Sequence, residues 1–383
     1  MPELPEVEVV RAGLEPAVTG ATILSVHVLD ERALTRHDGP AEDFAHRLTG
    51  RTVSAAVRRG KFMWFPLGPA TNGTQPHDLQ QADPHDPQQA DPHPHGTRPS
   101  VPQPHGTRPS VPQPHGTRPS VPQQADPHPA VDDARPEALV AHLGMSGQIL
   151  LGRDRPAARH RRIVLDVQPR GTDRDGAPEP PVQLEFVDQR TFGSMAIDRM
   201  LPTVDGAPAG SAGAIDVADP DAAWRRTIPF QVSHIARDPL DPAFDDDRFI
   251  AAARKRSSGI KRVLLDQGVV SGIGNIYADE SLWAARLHFD RPADRLPRAT
   301  LRLLLDEVRA VLRRALDDGG TSFDAQYVNV NGQSGYFSQR LAVYGQQGKP
   351  CPRCGTPIVR EAFMNRSSHR CPVCQPAPRV RLR

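Results

Sequence analysis

The 383-residue chain is short of the residues that build large apolar cores: hydrophobic types make up 38% of it, aromatics only 5%. No apolar run approaches the ~20 residues needed to cross a bilayer, which argues against a helical membrane protein. The opening Met1-Pro2-Glu3-Leu4-Pro5-Glu6 lacks the basic and apolar stretches of a secretory signal, so the expected compartment is the cytoplasm. Cysteine is scarce too. The chain has 4, all between positions 351 and 374, whereas a disulfide-stapled secreted domain would spread them; the clustering points to a metal site in a reducing compartment. Neither charge sign dominates: 47 Lys and Arg face 45 Asp and Glu, for a net charge of +2. That balance neither requires nor excludes a polyanionic partner.

Proline is the exception, with 41 residues, and much of the excess lies in one segment. The decapeptide Pro-His-Gly-Thr-Arg-Pro-Ser-Val-Pro-Gln occurs 3 times in tandem from Pro94 to Gln123, flanked by Gln-Gln-Ala-Asp-Pro-His. Solenoid repeats are longer and carry an apolar face to stack; these carry almost none and cannot offset the entropy of ordering. Residues 72–136 are therefore expected to be a disordered insertion in a surface loop. Its 7 histidines from His77 to His128 could bind metal loosely, but a tolerated insertion is the simpler reading.

Either side of the insertion the texture is that of a folded protein. Val7, Val10 and Leu14 recur at helical spacing, with Pro5 near the start and Gly20 past the end. Strand-like runs follow at 22–29, 51–67, 138–151, 161–167 and 182–198, broken by Gly/Pro-rich loops, as in a β-sandwich. From Pro242 helical patterns take over, at 243–256, 260–267, 275–286 and 298–317. The last carries Leu301, Leu304, Leu305, Val308 and Leu312 at core spacing. The expected fold is α+β multidomain: an N-terminal β-sandwich with an N-terminal helix over 1–226, a helical domain over 227–341, a ribbon over 342–375 and a basic tail over 376–383.

Cys351-Pro-Arg-Cys354 and Cys371-Pro-Val-Cys374, sixteen residues apart, are two knuckles of the kind that place four thiolates around zinc. A closed four-thiolate shell leaves no position for water, so one structural zinc ion is expected. Arg360, Arg366 and Arg370 suit such a small module to phosphate contacts.

Five further motifs are less specific alone. Met1-Pro2-Glu3-Leu4-Pro5-Glu6-Val7-Glu8 also describes an ordinary helix start with acids at the positive end of the dipole. Lys61, in Arg58-Arg59-Gly60-Lys61-Phe62, reads by default as a solvated strand-end lysine. His142-Leu143-Gly144-Met145-Ser146-Gly147 is a glycine-framed turn, where a methionine is less often core than usual. Asp188-Gln189-Arg190-Thr191-Phe192-Gly193 is another turn. Ile260-Lys261 followed by Gly272-Ile273-Gly274-Asn275-Ile276-Tyr277-Ala278-Asp279-Glu280 also suits a plain helix connection.

Together with the cysteine knuckles and in this order, these motifs resemble the bacterial formamidopyrimidine-DNA glycosylase family. The resemblance covers nearly the whole chain outside 72–136 and two smaller loops. It implies a helix–two-turns–helix domain, a zinc finger, and a base-excision-repair glycosylase and AP lyase acting on duplex DNA with oxidised purines, as a monomer. After removal of Met1, Pro2 is an N-terminal secondary amine; an α-amine has a pKa of about 8 and is partly neutral at physiological pH. By resemblance Pro2 is the nucleophile, Glu3 protonates the opening sugar ring, Lys61 is the acid of β-elimination, and Arg366 grips the flanking phosphates and assists δ-elimination. Met145 and Phe192 are wedges that unstack the duplex, and Arg190 faces the widowed base. His142, His160, Arg256, Lys261 and Asn275 contact DNA, while Gly272 and Gly274 let helix amides approach a phosphate. Gln189 and Thr191 depart from the family's usual Pro and Arg, and His160 matches its motif less closely. The loop over 319–336 corresponds to the family's cover of the flipped base.

Two alternatives stay open on the sequence. One is the neighbouring endonuclease VIII, which takes oxidised pyrimidines; Leu4 and the separated wedges argue against it. The other is a zinc-ribbon protein that only senses damage, for which Pro2, Glu3 and Lys61 together have no use. The insertion yields a direct prediction: deleting 73–134 leaves the melting temperature nearly unchanged. A large drop shows that the segment packs.

Overall fold

The computed structural model describes residues 2–70, 136–152, 158–172, 176–214, 218–219, 222–321 and 337–378. The repeat insertion, most of the 319–336 loop and the end of the basic tail lie outside them. Helix α1 (Leu4–Val18) opens the chain, with Pro5 in its first turn, where a missing N–H costs nothing. Its inward face, Val7, Val10, Leu14 and Val18, lies fully in the core.

Ten antiparallel strands follow among the described residues: β1 (Thr22–Val28), β2 (Arg51–Val53), β3 (Val57–Arg59), β4 (Phe62–Ala70), β5 (Glu137–His142), β6 (Gly147–Gly152), β7 (Arg161–Gln168), β8 (Val182–Asp188), β9 (Ser194–Pro202) and β10 (Thr227–Pro229). They run in the order β10-β9-β5-β4-β2-β1-β7-β8-β6, with β3 on the flank of β4. The path folds into two layers, because one core joins Met63, Phe65, Leu139, Ala141, Met195 and Ile197 to Ile23, Ile149, Ile163, Leu165, Leu184 and Phe186. Alternation along the strands supplies the opposite face: Trp64 and Val140 join Met200, Ile228 and Ile235 in a smaller core. This is a β-sandwich.

Three continuous strand patterns in the sequence resolve into separate strands. The run 51–67 breaks into β2, β3 and β4, the last two forming a hairpin across Gly60 and Lys61. The run 138–151 becomes β5 and β6, which do not pair with each other: β5 lies between β4 and β9, and β6 on β8. The run 182–198 divides in the same way into β8 and β9. Residues 143–146 and 189–193 are therefore crossings between the layers. Period-2 alternation marks strands but carries no sign of which sheet a strand joins. Helix α2 (Ala41–Leu48) has no clear signature in the sequence, since its buried anchors are only Phe44 and Leu48.

The helical part holds α3 (Asp246–Arg254), α4 (Ile260–Leu265), α5 (Asn275–Ala284) and α6 (Arg298–Asp317). The stripe Leu301, Leu304, Leu305, Val308 and Leu312 is fully buried. Leu4, at the start of α1, belongs to this helical core and not to the sandwich, so α1 spans both. A two-stranded ribbon, β11 (Val359–Phe363) with β12 (Arg366–Arg370), closes the described chain.

Candidate active site and nucleic-acid interface

The site begins where α1 enters the helical core. Pro2 and Glu3 are buried. The Leu4 amide donates to the Gly272 carbonyl at 2.9 Å. The Glu3 carboxylate caps α5: Oε2 accepts the amides of Gly274 (2.6 Å) and Tyr277 (3.3 Å), and Oε1 that of Ile276 (3.0 Å). A helix N-terminus has unpaired N–H groups and positive potential, so it suits an anion. The motif pattern predicts a phosphate at these amides; the anion they meet is Glu3. The glycines explain the substitution. A Cβ on Gly274 would lie 2.3 Å from Glu3 Cδ, and one on Gly272 (φ +85°) would lie 2.8 Å from the Leu4 side chain. Their bareness admits the chain's own N-terminus.

Glu6 completes this corner, although the sequence reading assigns it no role. Its Oε2 accepts the Glu3 amide at 2.8 Å, and its Oε1 accepts Tyr277 Oη (2.6 Å) and the amide and hydroxyl of Thr321 (2.8 and 2.7 Å). Its position three after Glu3, the capping-box spacing, is the local signal for it. Burial raises the Glu3 pKa; Lys61 opposes the rise and Glu6 adds to it. The buried Tyr277 phenol is held well above its ordinary value, by burial first and then by Glu6, and so remains a donor.

Lys61 stands across from Glu3 on the β3–β4 turn, its Nζ donating to the Ile273 carbonyl at 2.9 Å. Burial lowers its pKa, Glu3 works against that, and Arg366 lowers it further. The turn is anchored by Arg58, which bonds Glu8 Oε2 on α1 (2.7 Å) and Asp238 Oδ2 (2.9 Å). The same Asp238 oxygen accepts the Gly60 amide at 3.2 Å. One buried cation thus ties the helix bearing Pro2 to the turn bearing Lys61.

The two layer crossings bring Met145 and Phe192 together. Gly144 has φ +60°, and a Cβ there would lie 2.5 Å from the Phe192 carbonyl carbon. Both tips are exposed apolar side chains, Met145 38% and Phe192 55% accessible, on a surface where such groups usually mark an interaction. Asp188, fully buried, organises both loops: Oδ1 accepts Ser146 Oγ (2.6 Å) and the Arg190 amide (3.0 Å), and Oδ2 the Gly193 amide (2.7 Å). Thr191 takes a left-handed φ of 56° and His160 one of 64°, so both loops turn sharply. Arg190 and His160 are exposed. His142 stacks on Phe62 with ring centroids 4.8 Å apart. Burial, with Arg36 and Lys61 adding, pulls it down to about 4, so it is a neutral ring at physiological pH.

Among the other residues in the predicted DNA face, Arg256 is exposed and pairs with Asp266 at 2.7 Å. Asn275 is buried, its Nδ2 donating to the Ser367 carbonyl at 3.0 Å while its Oδ1 has no partner among the described residues. Lys261 is fully buried and ion-paired with Asp279 at 2.7 Å. Arg366 is exposed, directly after the Met364–Asn365 turn of the ribbon. Helix α5 holds the ribbon in place with consecutive acids that the sequence reading leaves without a role. Asp279 accepts Ser368 Oγ and the His369 amide, each at 2.8 Å. Glu280 accepts the amides of Ala342, Val343 and Tyr344 at 2.8–2.9 Å.

The four cysteine sulfurs all lie within 4.8 Å of one another, with Cys354 3.4 Å from Cys371 and 3.6 Å from Cys374. Zinc at ~2.3 Å from each of four sulfurs sets them about 3.8 Å apart, so the residues present fit the ion. Trp283 Nε1 donates to Cys351 Sγ at 3.4 Å, the kind of outer bond that orients a ligand.

Comparison with known proteins agrees with this arrangement. Residues 1–78 and 128–195 match the formamidopyrimidine-DNA glycosylase N-terminal domain, 235–326 its H2TH domain, and 348–377 a zinc finger found in FPG and IleRS. Fold and site thus define a zinc-finger DNA glycosylase of DNA repair, holding one structural zinc. The formamidopyrimidine-DNA glycosylase of Leifsonia xyli is 51% identical over 98% of this chain and 99% of its own, and that of Kineococcus radiotolerans 44% over 99% of each. Crystal structures of Lactococcus lactis FPG with DNA containing Fapy-dG (a point mutant of that enzyme) or an abasic site superpose with TM-scores of 0.65 and 0.64. Each is 25% identical and covers 98% of this chain and 100% of the other. The chain belongs to the formamidopyrimidine-DNA glycosylase family.

Asp188 supplies a test of the paired loops. Asp188→Ala strands three donors and lowers unfolding free energy by about 2–4 kcal/mol, read from urea denaturation. A loss below about 1 kcal/mol shows that the crossings hold without it.

Proposed function

We propose that this DNA-repair glycosylase removes oxidised purines, 8-oxoguanine and formamidopyrimidines, from duplex DNA and then cleaves the strand as an AP lyase. The observation that carries the reading is the burial of Glu3 beside Pro2, with its pKa raised and Lys61 facing it. The Pro2 nitrogen attacks C1′ of the damaged nucleotide; the C1′–base bond breaks and the base leaves with its electron pair, which takes up the proton that the Pro2 nitrogen sheds. Glu3, kept protonated to higher pH than a free carboxyl, gives its proton to the ring oxygen as the sugar opens. The resulting iminium is cationic without protonation and acidifies the C2′ proton. Loss of that proton expels the 3′ phosphate (β-elimination), and a second elimination expels the 5′ phosphate (δ-elimination). Lys61, its pKa lowered by burial, serves the first elimination, and Arg366 grips the phosphates and assists the second.

Met145 and Phe192 enter the stack while Arg190 faces the widowed base. His142, His160, Arg256 and Asn275 supply polar contacts to the strand. In this reading the catalytic domain runs past the expected boundary at 226 to take in β10 and Ile235, which pack on the sandwich; the DNA-binding helical domain follows to 341, then the zinc finger over 342–375 and a basic tail over 376–383. The protein works as a monomer. It acts in the cytoplasm, on the nucleoid; among the described residues no helix is long and apolar enough to cross a membrane.

The test is cleavage of 8-oxoguanine:cytosine against thymine glycol duplexes; faster cleavage of thymine glycol overturns the purine assignment in favour of an endonuclease VIII activity. Pro2→Gly abolishes cleavage while lesion affinity stays within about tenfold, because phosphate contacts dominate binding. Glu3→Gln loses excision but keeps cleavage of preformed abasic sites, whose sugar is already free to open. Excision falls as pH rises through the raised Glu3 value. Full cleavage by Pro2→Gly refutes the nucleophile, and excision by Glu3→Gln refutes the acid.

A further inference from the structure

Lys261 comes from a phosphate-binding pattern but lies wholly inside the protein, at 0% exposure. Its Nζ is 2.7 Å from Asp279 Oδ1 and 3.4 Å from the Ser367 carbonyl, and it stands 4.7 Å from the centre of the Phe363 ring. An ammonium has three donors and no acceptor; here a carboxylate, a carbonyl and a ring face surround it. Asp279 in turn holds Ser368 Oγ and the His369 amide, and Asn275 Nδ2 holds the Ser367 carbonyl. The three residues that follow Arg366 are thus fixed one after another by side chains of α4 and α5.

Removing either member of a buried pair leaves an uncompensated charge, and an ammonium that turned out to meet a phosphate would strand Asp279. The arrangement accounts for a buried lysine and aspartate between α4, α5 and β12 without any ligand.

We propose that the buried Lys261–Asp279 pair is a positioning device for Arg366, fixing the register of β12 against α5, and that Lys261 binds no phosphate. The pair sets where the Arg366 guanidinium stands relative to Lys61 and Glu3. The inference rests on the reading of Arg366 as a phosphate grip that assists δ-elimination. Both residues are positioning residues, acting through Arg366.

The experiment uses the full-length, zinc-loaded protein and two readouts. The first is affinity for a tetrahydrofuran-containing duplex as a function of salt. Arg366→Ala lowers the slope of log K against log salt by about one, as the loss of one phosphate contact requires; adding Lys261→Met to that variant lowers it no further. The second is the ratio of δ- to β-elimination product on an abasic duplex. Asp279→Asn lowers that ratio about tenfold, as expected when a catalytic group is displaced, with its zinc content unchanged. Should Asp279→Asn fail to fold, Ser368→Ala removes one hydrogen bond from the same clasp and shifts the ratio in the same direction. A slope reduced by a further one in the Arg366→Ala/Lys261→Met double variant overturns the proposal. So does a wild-type ratio in Asp279→Asn and Ser368→Ala when Arg366→Ala shifts it. If Arg366→Ala leaves the ratio unchanged, the reading of Arg366 itself falls, while the double variant's slope still reports on Lys261 alone.

Discussion

The Glu3 carboxylate sits on the N-terminus of α5, and the rest of the site is arranged around that contact. It joins the third residue of the chain to a helix that begins at Asn275, and three amides are its partners. Those bonds offset the desolvation of the carboxylate only in part, since its pKa remains raised. A carboxyl that holds its proton is costly to bury as an anion and useful as an acid; the same burial does both. The neighbouring geometry follows from it. Leu4 enters the helical core, Gly272 and Gly274 leave room, and the Ile273 carbonyl between them receives Lys61.

Helix α5 faces protein along nearly its whole length, and its buried polar groups are distributed by position. Its first turn holds Glu3, Asn275 reaches the ribbon backbone, Asp279 clasps β12, and Glu280 gathers the amides of 342–344. Trp283, near its end, donates to a zinc ligand. One rigid element therefore relates the buried acid, the zinc and the strand carrying Arg366, so that a helix and not a loop fixes their relative positions.

Much of this was legible in the sequence wherever the signal is local. The cysteine knuckles announce four sulfurs on a hairpin, and the leucine stripe of α6 announces a buried face. The opening Pro2–Glu8 pattern was readable as a family motif only because other motifs stood in order behind it. What sequence could not show is which groups meet across the chain. The amides after Gly274 look the same whether they serve a phosphate or Glu3, and the difference is set by residues some 270 positions away. Lys261 resembles a surface cation until Asp279 is placed beside it. The strands β5 and β6 read as one because alternation carries no record of a change of sheet. Asp188 and Glu6 are single acids near turns or helix starts, where such residues are common for reasons of capping.

The most direct test of Pro2 as the nucleophile is borohydride reduction during turnover of an 8-oxoguanine:cytosine duplex by protein lacking an N-terminal tag. Borohydride converts an iminium to a stable amine, so the expected result is a covalent protein–DNA complex whose modified peptide maps to Pro2. A zinc-loaded, DNA-bound protein that forms no adduct, or one trapped through another residue, would contradict that role.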